Sequence, residues 1–215
     1  MRFNNYFSIG VDARVTLNFH LARQSPVYLF SHRLINKLIY LSYGTKDVVE
    51  QSCEGLEHQV ALFIDDEPVS LPPVQAIVLL NIESWGAGCK PWNLGPGSYL
   101  FDILLRCKLL TTNDFIIILR YNSLKWQYLG GTVIPKCDFG DGVIEVMGVS
   151  SSFHIAQMQF GLSEPLRLGR GSKIKMIVSS YLPVQADGEP WEQSPCEIVI
   201  DRCGQVPVLV NTNTI

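Results

Sequence analysis

The residues best placed to do chemistry sit in VQADGEPW at 184–191, where two carboxylates, Asp187 and Glu189, flank a glycine. Asp-Gly has the composition of a tight hairpin turn, which needs positive φ at its central residues. Two carboxylates at a loop tip can serve phosphoryl transfer. One accepts or orients the proton of an attacking hydroxyl, and the other helps position magnesium against the phosphates. The same tripeptide can equally be only a turn, and a similar sequence, Asp65-Asp66-Glu67-Pro68, reads as structural. In GDGVIEV at 140–146, Asp141 is either a turn former or a cation ligand.

Other sources of chemistry are missing. There is no GxxxxGK[ST], GxGxxG, GxSxG or HExxH, and LGRGSK at 168–173 has the wrong glycine spacing to cradle a triphosphate. His20, His32, His58 and His154 lack metal-ligand spacing and read as surface or satisfied core histidines. The six cysteines (Cys53, Cys89, Cys107, Cys137, Cys196, Cys203) include no CxxC pair. They read as reduced thiols in a cytoplasmic protein, since the opening MRFNNYFSIG lacks the apolar segment of a secretory signal.

The elements that must carry these residues follow from periodicity. Asp12 to Arg23 reads as a short helix with Asp12 as its cap. Leu34, Ile35, Leu38, Ile39 and Leu41 recur at helical spacing, and a third short helix starts near Thr45 and ends near Gly55. From Val60 the period changes to two, through Leu62 and Ile64, across the turn Asp65-Asp66 to Val69 and Leu71: a hairpin. Ala76 to Ile82 is a continuous apolar run of the length expected for a strand buried on both faces. Val143–Val149, Lys173–Ser179 and Cys196–Ile200 also read as strands, and Phe153–Gln159 is ambiguous between helix and strand. The fold class is α+β, mainly β: two packed sheets in a sandwich-like domain, with helices gathered near the N-terminus.

With 215 residues, 47% of them apolar and 17% charged, the chain can bury a core as one domain. A net charge of −3, with its 17 basic residues dispersed, leaves no footprint for nucleic acid. The most apolar stretch, Tyr99–Leu119, contains Asp102, Arg106, Lys108 and Asp114, too much charge for a transmembrane span.

Taken in order, NNYFSIGVDA (4–13), FSHRLINKLIYLSYGTKD (30–47), LPPVQAIVLLNIESWGAGCKPW (71–92), GDGVIEVMGVSSSFHIAQMQ (140–159) and VQADGEPWEQSPCEI (184–198) resemble the accessory, C-terminal domain of eukaryotic diacylglycerol kinases, the epsilon type above all. The resemblance implies a two-domain enzyme that phosphorylates diacylglycerol at a membrane surface to phosphatidic acid. A nucleotide-binding catalytic domain would precede this chain and carry the glycine loop for ATP and magnesium. Asp187 and Glu189 match the Asp-Gly-Glu motif implicated at the catalytic site of related lipid kinases. Asp187 is assigned the hydroxyl proton and Glu189 the magnesium, with the roles open to exchange.

The chain departs from the family's pattern twice. It has Gly140-Asp141 where members carry an acidic pair, and its segment from about 95 to 137 is longer than theirs. That excess reads as a lineage insertion or as translated intron. Without its nucleotide half the chain alone is expected to be inactive. The alternative is a non-catalytic β-sandwich binding module left after loss of the kinase half.

Overall fold

A computed structural model of the chain describes residues 1–23, 53–86, 88–93, 137–159 and 163–207. The expected second helix, nearly all of the third and nearly all of the 95–137 segment lie outside these residues.

The described elements run β1 (Tyr6–Gly10), α1 (Val11–Arg23), β2 (Val60–Ile64), β3 (Glu67–Val69), β4 (Ala76–Leu80), β5 (Ile144–Val149), α2 (Ser152–Gln159), β6 (Leu166–Gly171), β7 (Lys173–Val178), β8 (Leu182–Ala186), β9 (Glu189–Gln193) and β10 (Cys196–Asp201). They build two antiparallel sheets, a six-stranded one in the order β6-β5-β4-β1-β8-β9 and a four-stranded one in the order β10-β7-β2-β3. The mainly β, two-sheet expectation holds.

The layers follow from period-two side-chain alternation. On β4 every residue is buried. Ile77 and Leu79 join the core between the sheets, and Ala76, Val78 and Leu80 join a second core under the helices. The inter-sheet core meets Leu62, Ile64, Ile174 and Met176 of the smaller sheet. Behind the larger sheet, Val11 and Val15 of α1 pack with Ile155 and Met158 of α2. The helices are thus not all near the N-terminus, because Phe153–Gln159, ambiguous by sequence, forms α2 and covers the back of β4 and β5.

The β2–β3 hairpin turns on Asp65 and Asp66, with φ of 49° and 68°, the two positive values of a type I′ turn. The Asp65 carboxylate accepts hydrogen bonds from the Ser172 and Lys173 amides and the Ser172 hydroxyl, tying this turn to the start of β7. It is structural, as expected. A sharper corner joins β1 to α1. Gly10 has φ of 102°, and a Cβ there would lie 2.1 Å from the Gln75 carbonyl oxygen, so glycine is required. The same carbonyl accepts the Val11 N–H at 2.7 Å.

Candidate functional site

Strands β8 and β9 are joined by two residues, Asp187 and Gly188, between the paired Ala186 and Glu189. Their φ values of 51° and 88° make a second type I′ turn. At this end of the larger sheet the turn meets the approach to β1. Asp187 Oδ2 accepts the Asn4 N–H at 2.8 Å, and Oδ1 accepts the Asn5 and Tyr6 N–H groups at 2.8 and 3.0 Å. The Asp187 N–H in turn donates to the Tyr6 carbonyl at 2.9 Å. From the other side, Asn81 holds the same segment, its backbone N–H bonding the Asn5 carbonyl and its side-chain amide the Asn4 carbonyl.

The carboxylate of Asp187 is therefore engaged by three backbone donors that close one end of the sheet. Glu189 differs. It begins the edge strand β9, is exposed, and among the described residues its carboxylate has no hydrogen-bond or ion-pair partner. The turn thus brings together one fastened carboxylate and one open to an incoming group. Open carboxylates of this kind can accept a proton from, or hydrogen-bond to, a substrate hydroxyl.

Asp141 lies at the same end of the larger sheet, just before β5, but β4 and β1 stand between β5 and β8. Three strand spacings place it about 14 Å from the turn, too far to share an ion with Asp187 or Glu189. Both its oxygens are in use. Oδ1 accepts the Val143 N–H at 2.9 Å, and Oδ2 accepts Arg170 Nη2 at 2.6 Å. Beneath Arg170 lies Glu145, fully buried, with its Oε1 3.7 Å from Nη2 and its Oε2 accepting the Cys137 thiol. Burial pushes the Glu145 carboxyl above its ordinary range, opposed by the Cys137 hydrogen bond and the Arg170 charge. A magnesium ion does not fit this arrangement, since a guanidinium already sits against both carboxylates. Among the described residues no group of three or more His, Cys, Asp or Glu side chains could hold a metal ion.

His154 is a satisfied core histidine. Its Nδ1 accepts the Ser150 N–H at 3.1 Å, leaving Nε2 to donate to the Glu164 carbonyl at 2.7 Å. The described cysteines are free thiols. Burial raises the Cys89 thiol to about 11 and raises that of Cys137 further, so neither is a ready nucleophile.

Behind the turn lie three buried polar residues, Ser8, Asp12 and Gln185, exposed by 0%, 2% and 0%, of which the sequence marked only Asp12, as a helix cap. Ser8 and Gln185 are cross-strand partners on β1 and β8. The available signal was a glutamine and a serine inside strands whose neighbours are apolar. Asp12 is not a cap outside the helix, because α1 starts at Val11 and the Asp12 carboxylate accepts from the Ser8 hydroxyl and the Gln185 amide.

The chain is 32% identical over 96% of its length to diacylglycerol kinase 1 of Drosophila melanogaster, and 29% identical over 95% to diacylglycerol kinase theta of Homo sapiens. It spans only 17% and 18% of those two proteins. These relatives do not carry the epsilon designation, and that finer likeness rests on sequence resemblance alone. A solved structure titled a putative diacylglycerol kinase from Bacillus anthracis str. Sterne matches with a TM-score of 0.40 at 14% identity, covering 93% of this chain and 48% of that one. Residues 2–190 match the sequence model of the diacylglycerol kinase accessory domain, and the chain belongs to that family.

Proposed function

We propose that this chain forms one wall of a diacylglycerol kinase active site, completed by a nucleotide-binding domain outside the 215 residues. In the complete enzyme, the free hydroxyl of diacylglycerol attacks the γ-phosphorus of ATP. The new O–P bond forms as the bond to the β-phosphate oxygen breaks, the hydroxyl proton passes to a carboxylate, and phosphatidic acid and ADP leave. Magnesium, bound with ATP on the nucleotide domain, supplies positive charge against the phosphates.

The observation that carries this reading is the division of labour within the turn. Asp187 is held by the amides of Asn4, Asn5 and Tyr6, whereas Glu189 stands exposed beside it. Glu189 is accordingly the proton acceptor and Asp187 the anchor of the turn, whereas the motif alone assigned the proton to Asp187 and magnesium to Glu189, with exchange left open. Among the described residues no helix is long and apolar enough to cross a membrane; in the proposed enzyme the diacylglycerol hydroxyl would be met at a bilayer surface.

The test is transfer of labelled phosphate from ATP to diacylglycerol in mixed micelles. The full-length protein should form phosphatidic acid, and residues 1–215 alone should form none. A full-length protein that makes no phosphatidic acid would overturn the proposal.

A further inference from the structure

Under α1, the back of β1 and β8 carries linked polar side chains where apolar ones would pack without difficulty. The Tyr6 hydroxyl donates to Gln185 Oε1 at 3.2 Å. The Gln185 side-chain amide donates from Nε2 to Asp12 Oδ2, and the Ser8 hydroxyl donates to the same oxygen at 2.6 Å. The direction of the chain is set at one end by the Asp12 carboxylate, which only accepts. Reversing the Gln185 amide would turn its carbonyl toward that carboxylate and its NH₂ toward the tyrosine.

Burial is the dominant reason the Tyr6 hydroxyl is pushed far above its ordinary pKa, with Asp12 and then Asp187 adding to it. It therefore stays a proton donor. The corner at Gly10 folds α1 back so that Asp12 returns over Ser8, four residues earlier.

Tyr6 joins this chain to the turn. Its side chain holds Gln185, while its backbone N–H and carbonyl bond the Asp187 carboxylate and the Asp187 N–H. Gln185 lies on β8 two residues before Asp187, so both contacts act on the same end of the same strand. A buried polar network must be fully satisfied to avoid a desolvation penalty, and apolar residues at these positions would serve stability as well. What the network adds is a single geometry.

We infer that Gln185, held between Tyr6 and Asp12, is a positioning residue that fixes the end of β8 against β1 and thereby sets where Glu189 stands. The inference rests on the proposed role of Glu189 for its catalytic consequence, and on geometry alone for the positioning itself.

Two variants test it. Tyr6→Phe removes only the hydroxyl that reaches Gln185, and Gln185→Met removes both of its bonds at similar volume. Backbone amide exchange is followed by NMR on residues 1–215, and steady-state kinetics on the full-length protein. In Tyr6→Phe the melting temperature should change by no more than about 4 °C. Exchange at Asn5 and Asp187 should speed by about tenfold or more relative to Val78 in β4. The kcat for phosphatidic acid should fall about tenfold with the KM for both substrates within about twofold. Gln185→Met should show the same pattern more strongly.

Unchanged exchange at Asn5 and Asp187 in both variants would overturn the positioning role. Faster exchange with unchanged kcat would overturn its link to catalysis. A wild-type protein that forms no phosphatidic acid refutes the kinase reading instead, and the exchange measurement still decides the positioning role.

Discussion

Replacing Asp187 with Asn tests whether this carboxylate fastens the sheet or serves the reaction directly. Asparagine tolerates the positive φ of 51° at this position, so the turn itself is not strained. The single oxygen of Asn can keep the bonds from Asn5 and Tyr6, but its NH₂ then faces the Asn4 N–H, donor against donor. One hydrogen bond is lost and two lose their charge assistance. Hydrogen bonds to a charged group contribute about 1.5–3 kcal/mol and neutral ones about 0.5–1.5, and the exposed setting argues for the low end. The lost bond then costs about 1.5 kcal/mol and the two weakened ones about 1 kcal/mol each, a loss of about 3.5 kcal/mol. At about 2–4 °C per kcal/mol for a domain of this size, the melting temperature should drop by about 7–14 °C. Thermal unfolding of residues 1–215 at pH 7, followed by circular dichroism, measures it. A change of less than about 1 °C would refute the reasoning, because three bonds of this geometry cannot be weakened without a stability cost.

Two further expectations concern the frame around the site. Gly10→Ala should destabilise by about 3 kcal/mol or more in urea unfolding, because its Cβ would meet the Gln75 oxygen at 2.1 Å with φ at 102°. Backbone donation from Lys173, with further help from Ser172, holds the Asp65 carboxyl below its usual 3.8. A depressed carboxylate stabilises the fold above its unfolded pKa and loses that contribution as pH falls through the folded one. Asp65→Asn should therefore melt below wild type at pH 7, and the gap should close as the pH is taken below 3.8.

Much of the frame was legible because it obeys local rules. The apolar run of β4 announced burial on both faces, and Ile77 with Leu79 and Val78 with Leu80 do divide between two cores. The alternation from Val60 to Val69 marked a hairpin, and Asp187-Gly188 marked another. Of the strands not marked by the sequence, β1 and β8 carry residues that answer to distant partners. In β1, Ser8 sits among apolar neighbours because Asp12 needs a donor. In β8, Pro183 lies just outside the stretch paired with β1, and Gln185 is buried to serve Asp12 and Tyr6. The grip of Asp187 on Asn4, Asn5 and Tyr6 joins residues more than 180 positions apart, and no window along the chain contains it. The motif marked a hairpin turn, and the fold has one there. Which of its two carboxylates stays open was written in the fold.

Turnover of the full-length Glu189→Gln variant, measured beside its melting temperature, bears most directly on the proposed chemistry. The substitution keeps size and edge-strand position and removes only the proton acceptor. The expected result is a kcat lowered by roughly two to four orders of magnitude, with melting within about 1 °C of wild type because an exposed side chain with no partner among the described residues contributes little. A variant that turns over within about threefold of wild type, with unchanged melting, would contradict the assignment of Glu189 and leave the turn with a purely structural role.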